Sequence, residues 1–242
     1  METINSLQNS KVKKWCALHS KKERDLTGLF LVEGEHLIQE ALDAGCVQDI
    51  ITDTECPFDF ERIYQVTPAI MNKLSANISK VHYIAVCKKL EYEITSPTRI
   101  LILDGVQDPG NLGTLVRTAI SFSFDLVYCS NETCDLYNEK TIRSTQGALF
   151  HIPVIRGDLN EIVKSLQKDD FTVIATSLED SHSMSQIPSV AKMAFIFGNE
   201  GQGVSKQLQQ LANDRLRIEM HGFESLNVAV AGGIVMYHYR KD

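Results

Sequence analysis

The stretch RILILDGVQDPGNLGTLVRTA (99–119) decides the fold class. Residues 99–106 are almost continuously apolar, the pattern of a strand covered on both faces. The run then breaks at Asp104, Gly105, Gln107, Asp108, Pro109, Gly110, Asn111 and Gly113, and a helix with Arg117 on it is predicted over about 110–122. Strand, glycine-rich turn and helix make the repeating unit of an α/β protein. The alternation continues in FDLVYCS, HIPVI, FTVIATS and MAFIFGNEG as strands, with helices near 138–146 and 204–212. A short strand (215–220) and a terminal helix (225–240) complete this half, and LEDSHSMSQIPSVAK reads as a loop. The expected architecture is α/β with a mainly parallel sheet.

Upstream, KKLEYEITSPT (88–98) is polar and ends in Ser-Pro-Thr, which reads as a linker. It separates a domain of about 1–90 from one of 98–242, with 91–97 between them. The first domain reads as a helix over 5–17, strands at 28–34, 47–52, 62–66 and 82–88, and a helix at 35–45 stopped by Gly45. Thr67-Pro68 opens a short helix in cap-then-first-position order.

The chain has 242 residues, 43% hydrophobic and 23% charged, an ordinary globular composition. No run approaches the roughly 18 apolar residues of a membrane span. The start, METINSLQNSKVKKW, lacks the apolar core of a secretion signal, so a cytoplasmic location is expected. The six cysteines form no C-x-x-C pair and the seven histidines are dispersed, so reduced thiols and no metal site are expected. A net charge of −7 argues against holding nucleic acid by bulk electrostatics. Residues 1–24 nevertheless carry six basic against two acidic side chains, a net of +4. Lys11, Lys13 and Lys14 there read either as phosphate contacts or as a solvated helix face.

Ligands of such sheets bind at the carboxyl ends of strands, and three ends here are rich in Gly, Asn and charge. The first is the 103–119 segment, where glycines at a helix start expose N–H groups suited to an anion and Arg117 lies one turn beyond Gly113. The second is FIFGNEGQGVS (195–205), which lacks the third glycine of a dinucleotide fingerprint because position 206 is Lys. The third is RIEMHGFESLNVAVAGGIVMY (217–237), in which Ser225 suits a helix N-cap and Ala229, Ala231, Gly232 and Gly233 permit close approach.

Together DPGNLGTLVRTA, FIFGNEGQGVS and IEMHGFESLNVAVA resemble the three ordered motifs of the TrmH (SpoU) family of RNA 2′-O-ribose methyltransferases, within the SPOUT superfamily. FLVEGEHLIQEAL resembles, more weakly, the family's small ribosomal-protein-like α/β substrate-binding domain. Glu219 and Ala229 depart from the family's usual proline and serine. The resemblance implies S-adenosylmethionine as cofactor, bound in a deep trefoil knot, a ribosomal or transfer RNA substrate, and a homodimer without metal or membrane. By position, Asn111, Arg117, Glu200, Ser225 and Asn227 match the catalytic constellation. Gly198, Ile218 and Leu226 match cofactor-contacting positions, as do Thr176, Leu178, Asn199 and Met220 more weakly. Two rivals stand beside this reading: an RNA-binding protein of the same fold without catalysis, and a dinucleotide-dependent oxidoreductase built on GNEGQG.

Overall fold

Taken in chain order, the elements begin with β1 (Glu2–Ile4), α1 (Ser10–Ala17), α2 (Lys21–Thr27), β2 (Leu29–Glu33), α3 (Glu35–Asp43), β3 (Val47–Thr52), β4 (Ile63–Val66), α4 (Pro68–Leu74) and β5 (Tyr83–Lys88). They continue with β6 (Arg99–Asp104), α5 (Pro109–Ser121), β7 (Leu126–Cys129), α6 (Glu139–Thr145), β8 (Val154–Arg156), α7 (Leu159–Lys168) and β9 (Thr172–Thr176). The last are β10 (His182–Ser183), β11 (Met193–Gly198), α8 (Lys206–Leu211), β12 (Asp214–Arg217) and α9 (Val228–His238). This is a computed structural model, and it describes residues 1–76, 80–220 and 225–241. Two units emerge: Met1–Glu91 with Asp135–Phe150, and the rest of the chain. Residues 135–150, which a linear break at 91–97 does not separate, thus group with the first unit.

In the first unit, five strands form a mixed sheet in the order β1-β4-β3-β5-β2. Strand alternation fills both faces. Phe30, Val32, Ile50, Ala85 and Cys87 pack with α3 and with Ile142, Leu149 and Phe150 of the 135–150 segment. Their neighbours Leu31, Ile51, Ile84 and Val86 pack instead with Val12 and Trp15 of α1 and Ile70, Met71 and Leu74 of α4. Arg24 is buried here, its guanidinium bonded to Asp135 at 2.6 Å and to the carbonyls of Leu18 and His19. It therefore contributes no exposed charge to the basic amino-terminal segment. The predicted caps appear: Thr67 accepts from Ile70 N, Pro68 opens α4, and Gly45 ends α3 at φ +68°.

Two elements of this unit escape the periodicity. β1 is a three-residue edge strand, too short to show alternation. α2, KKERDLT, offers one large apolar side chain, and that one, Leu26, is exposed. The helix predicted from residue 5 starts at Ser10 instead, because Asn9 is its cap and accepts from Lys11 N.

In the second unit, seven strands run parallel in the order β10-β12-β9-β11-β6-β7-β8. One face buries Ile100, Ile102, Val173, Ala175, Ala194 and Ile196 against α7 and α8. On the other, Phe195 lies 4.7 Å from the Tyr239 ring, just beyond α9. The chain runs outward from β6 through β7 to β8, then returns to the opposite side at β9. The crevice beside β6 is thus the topological switch point, where open α/β sheets take ligands.

α9 lies against α5. A Cβ on Gly232 would stand 2.3 Å from Leu115 Cδ2, and one on Gly233 would stand 3.9 Å from Thr118. The small residues of this helix thus serve close packing inside the unit. The helix begins later than predicted: Asn227, not Ser225, is its N-cap. The Asn227 carboxamide accepts from both Ala229 N and Val230 N, which leaves the Ser225 hydroxyl no capping role.

Candidate active site

Parallel pairing of β6 with β11 sets Asp104 opposite Gly198, so two of the three motif loops leave the sheet side by side. The first loop passes Gly105 at φ +72° and enters α5 with Asp108 as N-cap, accepting from Asn111 N at 3.0 Å, and Pro109 at the first position. The second loop closes on itself. Asn199 and Gly203 exchange both backbone hydrogen bonds, at 3.0 and 2.8 Å. The Asn199 side chain staples the two loops: Oδ1 accepts from Gly201 N and Gln202 N, while Nδ2 donates to Gly105 O at 2.9 Å.

This closure leaves Glu200 aimed across the crevice. Its Oε1 accepts from Asp108 N at 3.1 Å and from Asn111 Nδ2 at 2.9 Å, and its Oε2 accepts from Gln107 N at 3.1 Å. The third motif joins here as well: Asn227 Nδ2 donates to Asn111 Oδ1 at 3.0 Å. One hydrogen-bonded chain therefore runs from the Glu200 carboxylate through Asn111 to Asn227 and the N-terminus of α9. Both amides are fixed in orientation, and each keeps one Nδ2 hydrogen for an incoming oxygen.

Burial pushes the Glu200 carboxyl up, but donation from the Asn111 amide and from the N–H groups of Gln107, Glu200 and Asp108 outweighs it and holds the group below the usual carboxylate value. Glu200 is accordingly an acceptor and organiser near neutrality.

Arg117 stands apart from this chain. It is exposed on α5, and its guanidinium has no hydrogen-bond or ion-pair partner among the described residues. Ser225 is exposed and likewise unpartnered, just ahead of the α9 cap, and residues 221–224 of the third motif lie outside the described residues. Thr176 ends β9 and spends its hydroxyl on Ile196 O at 3.0 Å. Ile218 and Met220 follow β12 and are half-buried. Leu178 and Leu226 are large apolar side chains left 60% and 38% exposed. Because β12, β9 and β11 are neighbours, Thr176, Leu178, Gly198, Ile218 and Met220 all follow carboxyl ends on the same edge of the sheet.

Gln107 and Asp108, which the sequence marks only as breaks in an apolar run, hold Glu200 through their backbone N–H groups. Their role depends on the main chain, so side-chain identity carries little trace of it; the Asp-Pro helix start was the readable clue. Among the described residues, no three His, Cys, Asp or Glu side chains form a group that could hold a metal ion.

Gly198 has a packing reason to be glycine. An added Cβ would lie 2.0 Å from the carbonyl carbon of Gly203 and 2.1 Å from Val204 N, both backbone atoms that cannot swing aside. Gly198→Ala is expected to open the Asn199–Gly203 bridge and to lower stability by about 2 kcal/mol, measured by urea unfolding. A variant within about 0.5 kcal/mol of wild type would show that the bridge yields at little cost.

Residues 98–237 match the SpoU rRNA Methylase family, and residues 9–85 match the MRM3-like substrate binding domain. The 23S rRNA (guanosine(2553)-2′-O)-methyltransferase RlmP of Bacillus subtilis is 40% identical over 247 residues, covering 99% of this chain and all of that protein. A crystal structure of an rRNA methyltransferase from Sinorhizobium meliloti superposes with a TM-score of 0.89 at 27% identity, covering 98% of this chain and 96% of the other. The AdoMet-bound structure from the same organism gives 0.88 at 26%, covering 98% and 97%. With Asn111, Glu200 and Asn227 from its three motifs joined by hydrogen bonds and 99% of its sequence matched by one relative, the chain belongs to the SpoU rRNA methylase family.

Proposed function

We propose that this protein transfers a methyl group from S-adenosylmethionine to a ribose 2′-hydroxyl of ribosomal RNA in the cytoplasm, acting as a homodimer whose carboxy-terminal segment is knotted. The observation that carries this reading is the Glu200–Asn111–Asn227 chain, which unites three distant motifs at the sheet's switch point. Its directed amides distinguish it from a fold retained for RNA binding alone. The location follows from that substrate, and no described helix is long and apolar enough to cross a membrane.

The residues present fit the cofactor. Leu178 and Leu226 expose apolar surface suited to a purine or a thioether, and Gly198 and Asn199 hold a tight backbone turn at the end of β11. When bound, S-adenosylmethionine supplies an electrophilic methyl on a sulfonium, a good leaving group. The protein's task is then alignment, which in well-oriented systems supplies roughly 7–11 kcal/mol at best. The spare Nδ2 hydrogens of Asn111 and Asn227 orient the ribose oxygens. Arg117, exposed and uncommitted, grips the phosphate beside the target ribose with its forked donors, and that phosphate or a water accepts the hydroxyl proton.

Homodimerisation is supported by α9. Its sequence is apolar on every side, yet Val230 and Tyr237 are 52% and 56% exposed, and Tyr237 stacks edge-on with Phe122 at 5.5 Å. A helix apolar all round belongs in an interior, and a second copy supplies one.

The test is transfer of label from S-adenosylmethionine to ribosomal RNA taken from cells lacking this gene, followed by nucleoside mass spectrometry. A new 2′-O-methylnucleoside is expected; its absence, or a base methylation, would overturn the reading. RNA contact by the first unit has its own measurement. Lys13 and Lys14 are exposed on α1, whereas Lys11 is bonded to Glu2 at 2.7 Å and to Tyr64 Oη at 3.0 Å. Changing Lys13 and Lys14 to Ala is expected to flatten the slope of log K against log salt by about 1.4, and Lys11→Ala by less than about 0.5. An unchanged slope in the double variant would make α1 a solvated face.

A further inference from the structure

Arg156, the last residue of β8, spends its guanidinium on the backbone of a single loop. Nη1 donates to the carbonyls of Ser130, Asn131 and Thr133, and Nη2 donates to Cys134 O at 2.8 Å. It has no carboxylate partner among the described residues. Four carbonyls gathered around one cation force the chain after β7 into a tight curl, a geometry that a planar fork can impose and a point charge cannot.

The curled loop points its own groups at the first motif loop. Gly105 N donates to Ser130 Oγ at 3.0 Å and to Thr133 Oγ1 at 3.2 Å, and Thr133 Oγ1 donates to Leu103 O at 2.9 Å. Cys134 N donates to Val106 O at 2.9 Å, and Gln107 Nε2 donates to Glu132 O at 2.7 Å. Residues 103, 105, 106 and 107 are thus each held from the 130–134 side. The next two main-chain N–H groups, of Gln107 and Asp108, are the pair that clasps Glu200.

We propose that Arg156 is a positioning residue for methyl transfer: by curling residues 130–134 it sets the 103–108 loop, and through Glu200 and Asn111 it sets the substrate-facing amides. The Ser130 and Thr133 hydroxyls are the transmitting contacts. This rests on the methyl-transfer reading of the site, and none of these three residues touches the crevice chain itself.

The experiment compares full-length wild type, Arg156→Lys, the pair Ser130→Ala with Thr133→Val, and all three changes together. Each is measured well below its unfolding temperature for kcat, for KM toward RNA, and for amide hydrogen exchange at Gln107 and Asp108. Arg156→Lys is expected to lower kcat on the order of 10- to 100-fold with KM within about twofold, and to speed exchange at those two amides. The triple variant is expected to be no slower than the hydroxyl pair by more than about twofold, because both sets act through one loop. Losses in kcat that multiply, a change confined to KM, or unaltered exchange at Gln107 and Asp108 would overturn the proposal. If wild type transfers no methyl group, the functional reading fails, and the exchange comparison still decides whether Arg156 sets the loop.

Discussion

Arg117→Lys is expected to lower single-turnover methyl transfer about 100-fold while S-adenosylmethionine affinity stays within about twofold. The reason lies in what the structure leaves uncommitted. Glu200, Asn111 and Asn227 are bonded to one another, and Asn199 is bonded to both flanking loops. The Arg117 guanidinium has no side-chain partner among the described residues, and it is displayed on a helix whose start is pinned by Asp108 and Pro109. A guanidinium does not readily surrender a proton, so a role as general base is poorly matched to its chemistry. Gripping a phosphate at two oxygens suits it, and that grip fixes the ribose carrying the attacking hydroxyl. Lysine keeps the charge and loses the fork. If charge alone mattered, Lys would retain most of the activity and Arg117→Ala would not. Titration calorimetry with the cofactor and rapid-quench transfer to RNA separate the two. Near-normal transfer by Arg117→Lys would remove bidentate phosphate grip from the mechanism.

How much of this was legible in the sequence differs by element. The strands of the second unit were clear because burial on both faces makes RILILD and MAFIFG nearly unbroken apolar runs. The caps at Thr67 and Gly45 follow from local chemistry that needs no tertiary context. α2 was silent because tertiary contacts through Arg24, not an apolar stripe, hold it. Grouping of 135–150 with the first unit depends on a partner more than a hundred residues away, Arg24 for Asp135, which no local window contains. At the site, Asn111, Glu200 and Asn227 were identifiable as a set from the ordered motifs. Their connection was not, since it depends on the orientation of two side-chain amides and on the backbone N–H groups of Gln107 and Asp108 that hold Glu200 in place. Ser225 misled as a cap because it and Asn227 both suit the position, and only the start of α9 at Val228 discriminates.

Glu200→Gln carries the second large effect, and its sign with pH follows from the geometry. Oε1 accepts two donors and Oε2 one. A carboxamide has one oxygen, so even its better orientation turns an NH2 toward Gln107 N. Charge-assisted bonds of this kind contribute more than neutral ones, but Glu200 is exposed, and solvent screening discounts them. A stability loss of about 1–2 kcal/mol is expected, with kcat down about 10- to 100-fold as the clasp on Gln107 N breaks and the anchor on Asn111 loses its charge. Because the hydrogen bonds hold the folded-state carboxyl below its ordinary value of 4.5, its stabilisation is fully present above that value. It is lost only as pH falls through the lower folded value. The ratio of wild-type to Glu200→Gln activity is therefore expected to be constant from about pH 6 to about pH 9. Glu200→Asp, one methylene shorter, keeps the charge but cannot span both loops, and it is expected to lose activity comparably. A wild-type rate limb within that range that vanishes in Glu200→Gln would make Glu200 a proton carrier rather than the clamp that orients Asn111. Full activity in both variants would leave the amides to be oriented by Asn227 and the α9 N-terminus alone.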